Sequence, residues 1–221
     1  MNARQTGAAA GITGPLVFAA ISLSGGWIQP GYSVFSDYVS ALSLGGRGWV
    51  QIVSFVIVGV CLLLFARAVA REFAESAIPS SGPVVLAVIG LGHLLSGPFA
   101  MDPQGTPVGV FSAHGLIHSL LGAMVFVLMP VVCFIFLRQF GRHAALRSLW
   151  WPTLVLGCAV AVADIAFAVI AKGSVVTRNP RLVAIMAADA GLLQRLVIIP
   201  FMSWVALFAA KLLSRSGAYL Q

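Results

Sequence analysis

Charged side chains are scarce in this chain. Of its 221 residues only 6 are Asp or Glu and 13 are Lys or Arg, together 9%, where an average soluble domain carries roughly 25%. A soluble fold must cover its core with polar surface, and too little is present here. That disfavours a soluble enzyme, a disordered tail and a nucleic-acid-binding domain alike. Cysteine is also sparse: Cys61, Cys133 and Cys158 each sit inside an apolar run, and no C-x-x-C occurs. Neither a disulfide framework nor a thiolate zinc site is indicated. The chain lacks a G-x-S-x-G elbow, a P-loop and a dinucleotide fingerprint. Lys172 and Arg178 stand without the serine-histidine partner of a membrane lipid phosphatase.

What the chain does have is apolar length. Hydrophobic residues make up 60%, and glycine adds 23 more positions. Six runs approach the ~20 apolar residues that cross a bilayer: about 10–28, 49–70, 83–100, 110–137, 150–171 and 190–213. Backbone polar groups in lipid must be satisfied internally, so these runs predict helices. The expected fold is all-α: a single six-helix transmembrane domain over residues 1–221. The first run follows Arg4 as in a signal peptide, but no small-x-small cleavage site follows it, so it is read as a span. Gly7-x-x-x-Gly11 can support close helix contact.

Lys and Arg set the orientation. Arg4, Arg67, Arg71, Arg138, Arg142, Arg147, Lys211 and Arg215 fall on one side, and Arg47, Lys172, Arg178 and Arg181 on the other. The richer side marks the cytoplasm, which places both termini there and the protein in the cell membrane. Trp49, Trp150 and Trp151 fall at span ends, where interfacial aromatics belong. Ser36 is placed to cap a short outer-surface helix near 36–44, stopped by Gly45-Gly46. Asn179-Pro180 is a helix-start signal, so the last helix is expected to begin near Pro180 and bend near Pro200.

Ionisable groups inside a span need a reason, since insertion at the bilayer centre costs about 2.5–3.5 kcal/mol. By helix rise, His93, His118 and Asp164 lie roughly 10 Å below the outer boundary, and His114 and Arg195 somewhat shallower. Asp37, Asp102 and Asp189 belong to outer connections. All four aspartates and three of the four histidines therefore share the outer half. His114 and His118 are spaced i,i+4 and project from one helix face; with His93 or Asp102 they make a candidate metal site, zinc being the natural ion. The alternative is a hydrogen-bonded polar lining. Asp164 and Arg195 are candidates for an intramembrane pair, as a structural bridge or as an anion anchor with Asp164 holding the guanidinium. Asp102 is either a loop cap or a site carboxylate. Tyr38 is a packing residue or a recognition element.

Three segments together resemble a family of mostly bacterial six-span proteins known as domain of unknown function 998. They are Phe35-Ser36-Asp37-Tyr38-Val39-Ser40-Ala41-Leu42, then Gly97-Pro98-Phe99-Ala100-Met101-Asp102-Pro103 running on to His114-Gly115-Leu116-Ile117-His118, and Gly191-Leu192-Leu193-Gln194-Arg195. The resemblance implies the architecture and marks Asp37, Asp102, His118 and Arg195 as positions to test. It supplies no reaction.

Function remains open among four readings. The first is an intramembrane hydrolytic or acid-base enzyme on a lipid or other hydrophobic molecule. Asp102, His118 and Asp37 would be catalytic, Arg195, Asp164 and Tyr38 would bind substrate, and His93, His114 and His118 would be possible metal ligands. The second is a protein that binds or transports a lipid or small solute through an outer pocket. The third is a bis-histidine haem protein, with His93 facing His114 or His118. The fourth is a structural role. Membrane lipids are the expected partners, and nucleic acid is not.

Overall fold

The computed structural model describes residues 2–75, 80–171 and 179–218, and these are helical with no strand. The long helices are α1 (Ala3–Leu23), α3 (Trp49–Glu75), α4 (Gly82–Ser96), α5 (Ala113–Phe140), α6 (Trp150–Ala166) and α8 (Ala190–Ala218). Two short ones, α2 (Gly25–Ile28) and α7 (Pro180–Ala188), lie in connections. Five helical segments are long and apolar enough to cross a membrane; α4, at 15 residues, is a shorter apolar helix. Tryptophan opens both α3 and α6.

The six long helices form a closed ring. α1 packs on α3, α3 on α4, α4 on α5, α5 on α6 and α6 on α8, and α8 returns to α1. Small residues set the α1–α3 seam: a Cβ on Gly7 would lie 2.6 Å from the Leu64 carbonyl, and one on Gly14 would lie 2.4 Å from Cys61 Cβ. The Gly7-x-x-x-Gly11 stripe is thus a helix–helix contact. The outer faces carry exposed Leu16, Leu120, Val155, Val162 and Ile165. Such a girdle suits acyl chains and not water.

The ring is filled unevenly. Toward the ends of α3, α5 and α8, Phe65, Phe136, Phe140, Trp204 and Phe208 pack ring against ring with centroids 4.9–6.0 Å apart. The Trp204 indole N–H donates to Thr153 Oγ1 at 2.9 Å, satisfying a buried donor. Beyond this plug lies an ion network. Glu72, 3% exposed, meets Arg4, Arg215 at 3.3 Å and His143 at 3.4 Å, and Arg4 also reaches Glu75 at 2.8 Å. The network ties α1, α3 and α8 together at the end opposite the aspartates.

Several expected boundaries shift. The first helix starts at Ala3 and not near residue 10, because Asn2 and Gln5 form a reciprocal capping box. It ends at Leu23, and residues to Ile28 belong to α2. The third helix stops at Ser96, short of residue 100. The fifth is α-helical to Ala166 and continues as a π turn over Phe167–Ala171. Asn179 accepts from Arg181 N at 3.1 Å, and Pro180 opens α7. One turn residue, Asp189, separates α7 from α8, and the apolar span runs over Val183–Arg215. α8 runs on through Pro200.

The helix expected near 36–44 is a 3-10 turn over Val39–Ser43, with Tyr38 at its N-cap and no side-chain cap. Ser36 does not cap it. An α-helix starting at residue 36 would need the Asp37 carbonyl for its own ladder, and that carbonyl accepts from Arg195 instead. Val39 and Leu42 are buried, so the turn is pressed into the bundle end and does not lie along its surface.

Candidate functional site

The aspartate-rich end is held shut by one cation. Arg195, 4% exposed, reaches out from the first turns of α8. Its Nε donates to the Ser22 carbonyl at 3.1 Å, and Nη2 to the same oxygen at 2.9 Å and to the Tyr32 hydroxyl. Nη1 serves the carbonyls of Val34 at 2.8 Å, Gly191 at 2.9 Å and Asp37 at 3.1 Å. Every guanidinium donor is therefore engaged, and by neutral oxygens. Arg195 makes no ion pair among the described residues, and the Asp164–Arg195 bridge is not formed. A guanidinium already saturated by carbonyls has no fork to offer an anion.

The loop below follows from this. The Tyr32 hydroxyl donates to the Tyr38 carbonyl at 2.9 Å, and burial pushes its phenol pKa up despite the opposing pull of Arg195. Asp37 turns its carboxylate back onto Ser33 N at 2.7 Å. Leu192 N–H, free at the start of α8, donates to the Phe35 carbonyl at 2.8 Å. Gln194, 6% exposed, accepts from Val39 N at 2.7 Å. Gln104 bridges to the second loop, accepting from Tyr38 N at 3.1 Å and donating to the Ser36 carbonyl at 3.0 Å.

Asp102 plays the cap role. Its Oδ2 accepts from Ser112 N at 2.8 Å, while Ser112 Oγ accepts from Gly115 N at 3.0 Å. These two oxygens satisfy two of the four open N–H groups at the start of α5. A Cβ at position 115 would lie 2.0 Å from Asp102 Oδ2, so the glycine between His114 and Leu116 makes room for that carboxylate.

Beneath these loops lies a cavity of ≈ 760 Å³. α5 lines it with His118, Ser119, Gly122, Ala123 and Phe126, α6 and its π turn with Asp164 and Phe167, and α8 with Gln194. Tyr38, Asp102 and Gln104 come from the loops and Val183 from α7. Tyr38 meets Phe167 edge-on at 5.8 Å, and Phe126 lies 5.2 Å from Phe167. Tyr38's phenol pKa is raised by burial. A recess of ≈ 40 Å³ shares Ser40, His118, Gly122 and Gln194 with the cavity and extends to His93, Phe18 and Phe55. The ring Nδ1 of His93 lies 3.0 Å from the Ile89 carbonyl, and that of His118 lies 2.8 Å from the Phe99 carbonyl. A carbonyl only accepts, so each Nδ1 carries a proton.

The sequence candidates thus divide. Tyr38, Asp102, Asp164 and His118 share the cavity, and His93 joins His118 at the recess. Asp37 and Arg195 stand behind the wall as props. His114 is exposed, lies against the Phe99 ring at 5.4 Å and lines neither space. Among the described residues no three His, Cys, Asp or Glu side chains gather as a metal site needs. The donor set of His93, His114 and His118 therefore does not fit zinc. Nor does a recess of ≈ 40 Å³ between His93 and His118 fit a porphyrin. Sequence reading missed Gln194, Gln104 and Gly115; a glutamine beside a span arginine and a glycine between a histidine pair were the available signals.

A family model described as a protein of unknown function, DUF998, matches residues 12–211. The chain belongs to the DUF998 family. Neither a curated protein nor a solved structure matches it. The segments that carry the family resemblance are the ones that meet here: the loop of Asp37 and Tyr38, the Asp102–His118 stretch and the Gly191–Arg195 turn build the lock and roof of one cavity.

Proposed function

We propose that this DUF998 protein spans the cell membrane six times with both termini cytoplasmic, and that the cavity at its outer end binds a lipid or other hydrophobic small molecule bearing a polar group. The cavity itself carries this reading. Its volume of ≈ 760 Å³ lies within the ~300–1,000 Å³ of small-molecule sites, and its lining is mostly apolar with a few polar side chains. The excess of arginine at the Glu72 end supports the orientation. Labelling with a membrane-impermeant maleimide tests it: in a cysteine-free background, Pro107→Cys should react in intact cells and Arg142→Cys should not.

Binding is favoured over hydrolysis because Asp37 and Asp102 already spend carboxylate oxygens on backbone amides. An acid-base enzyme acting on the same ligand is the second reading, supported by one observation: His118 and Asp164 line the same space. Gly122 provides the test of the cavity. It lines both spaces, and a Cβ built on it meets nothing within 4 Å, so a larger side chain grows into open volume. In phosphatidylcholine nanodiscs, saturable binding of dodecanol to the wild type, lost in Gly122→Phe with unchanged thermal stability, is the expected result. Equal uptake by both proteins would contradict the reading.

A further inference from the structure

The polar groups of the cavity point to the charge of its ligand. We infer that the cavity selects a protonated lipophilic amine: an ammonium group on a hydrocarbon body, held by Asp164. The inference rests on the binding reading above and adds the ligand class.

Asp164 makes no hydrogen bond or ion pair with any described residue, although it lines the cavity from near the end of α6. A carboxylate partly withdrawn from water with no partner is a site waiting for a counter-charge. No Lys or Arg among the described residues lines either space. Arg195 spends its donors on Ser22, Tyr32, Val34, Asp37 and Gly191, none of which lines the cavity.

The positive helix ends are partly occupied as well. Asp102 and Ser112 cover the start of α5, and the Phe35 carbonyl covers that of α8. Among the described residues an anionic headgroup therefore finds no cationic side chain in the cavity. A cation finds two carboxylates, Asp164 and Asp102, in a space that Tyr38, Phe126 and Phe167 also line, and aromatic rings are favourable neighbours for positive charge.

The experiment compares three probes with one chain and different heads: dodecylammonium, dodecanol and dodecanoate. Each is titrated into wild type and Gly122→Phe in phosphatidylcholine nanodiscs at pH 7, and the difference isolates the cavity. Dodecylammonium should bind at least ~10-fold more tightly than dodecanol, and dodecanoate more weakly than either. Asp164→Asn should lose that ~10-fold preference, keep dodecanol affinity within about twofold and melt no lower than wild type, since no partner is lost. Dodecanol binding with no ammonium preference, or a preference that survives Asp164→Asn, overturns the inference and leaves the pocket standing. Absence of cavity-dependent binding for all three overturns the pocket itself. Lysophosphatidylethanolamine binding as tightly as dodecylammonium would reassign the ammonium to a phospholipid headgroup and overturn the free-amine class.

Discussion

Gly191 lies against the backbone of Asp37 so closely that a Cβ on it would come 2.3 Å from the Asp37 carbonyl oxygen. The atom that blocks it is backbone, so neither side can yield by turning a side chain. The same carbonyl accepts from Arg195 Nη1 at 3.1 Å. The glycine permits the approach and the arginine, four residues on, fastens it.

Gly191→Ala should therefore lower stability by about 1–3 kcal/mol, the range for forced overpacking. Arg195→Met should cost more, above about 3 kcal/mol, because several buried carbonyls lose their donor together. Arg195→Lys should not rescue it, since an ammonium cannot span the carbonyls of Ser22, Val34 and Gly191 as a planar fork does. Thermal unfolding in detergent measures all three.

Asp102 and Gly115 should behave as one unit. Asp102→Ala removes a cap from α5, a loss of about 1 kcal/mol. Gly115→Ala evicts the same carboxylate, with a Cβ 2.0 Å from its Oδ2. The double variant should melt close to the more damaging single one, and additive losses would show that the two changes act separately.

These residues also show what could be read before the fold was known. The all-helical class followed from apolar length, and the tryptophans that open α3 and α6 marked their starts. The N-terminal boundary at Ala3 is set by the Asn2–Gln5 cap, in a polar stretch that hydropathy does not mark. The role of Arg195 was not legible, since its partners are carbonyls of residues 22, 34, 37 and 191, and carbonyls leave no mark in a sequence. The i,i+4 rule put His114 and His118 on one face, but at the first turn of a helix one ring still meets the surface while the next turn meets the cavity.

Tyr32 gives the chain an alkaline limit. Burial raises its phenol pKa above the usual value near 10. The folded state thus holds the proton more tightly than the unfolded state. The stability this contributes is fully present below about pH 10 and is lost as pH rises through the folded-state value. Melting temperature should fall above pH 10 in the wild type. Tyr32→Phe should start lower, having lost hydrogen bonds with Arg195 and Tyr38, and should show a shallower alkaline decline.

At the opposite end, Glu72→Gln should destabilise by about 3–5 kcal/mol, as breaking a buried ion network does. The carboxylate is 3% exposed and faces Arg4, Arg215 and His143. Glu75→Gln, at 66% exposure, should cost less than about 1 kcal/mol. Comparing the two melts separates burial from charge count.

Photolabelling tests the central claim most directly. A dodecylamine carrying a diazirine at the chain end, activated in nanodiscs and mapped by mass spectrometry, should mark the cavity-lining residues Ser119, Ala123 and Phe126 of α5 and Phe167 after α6. Gly122→Phe should abolish those labels, and excess unlabelled amine should compete them away. Labels confined to the outward Leu120, Val155 and Val162, unchanged by Gly122→Phe, would mean that the probe only dissolves in the surrounding lipid and that the cavity holds no such ligand.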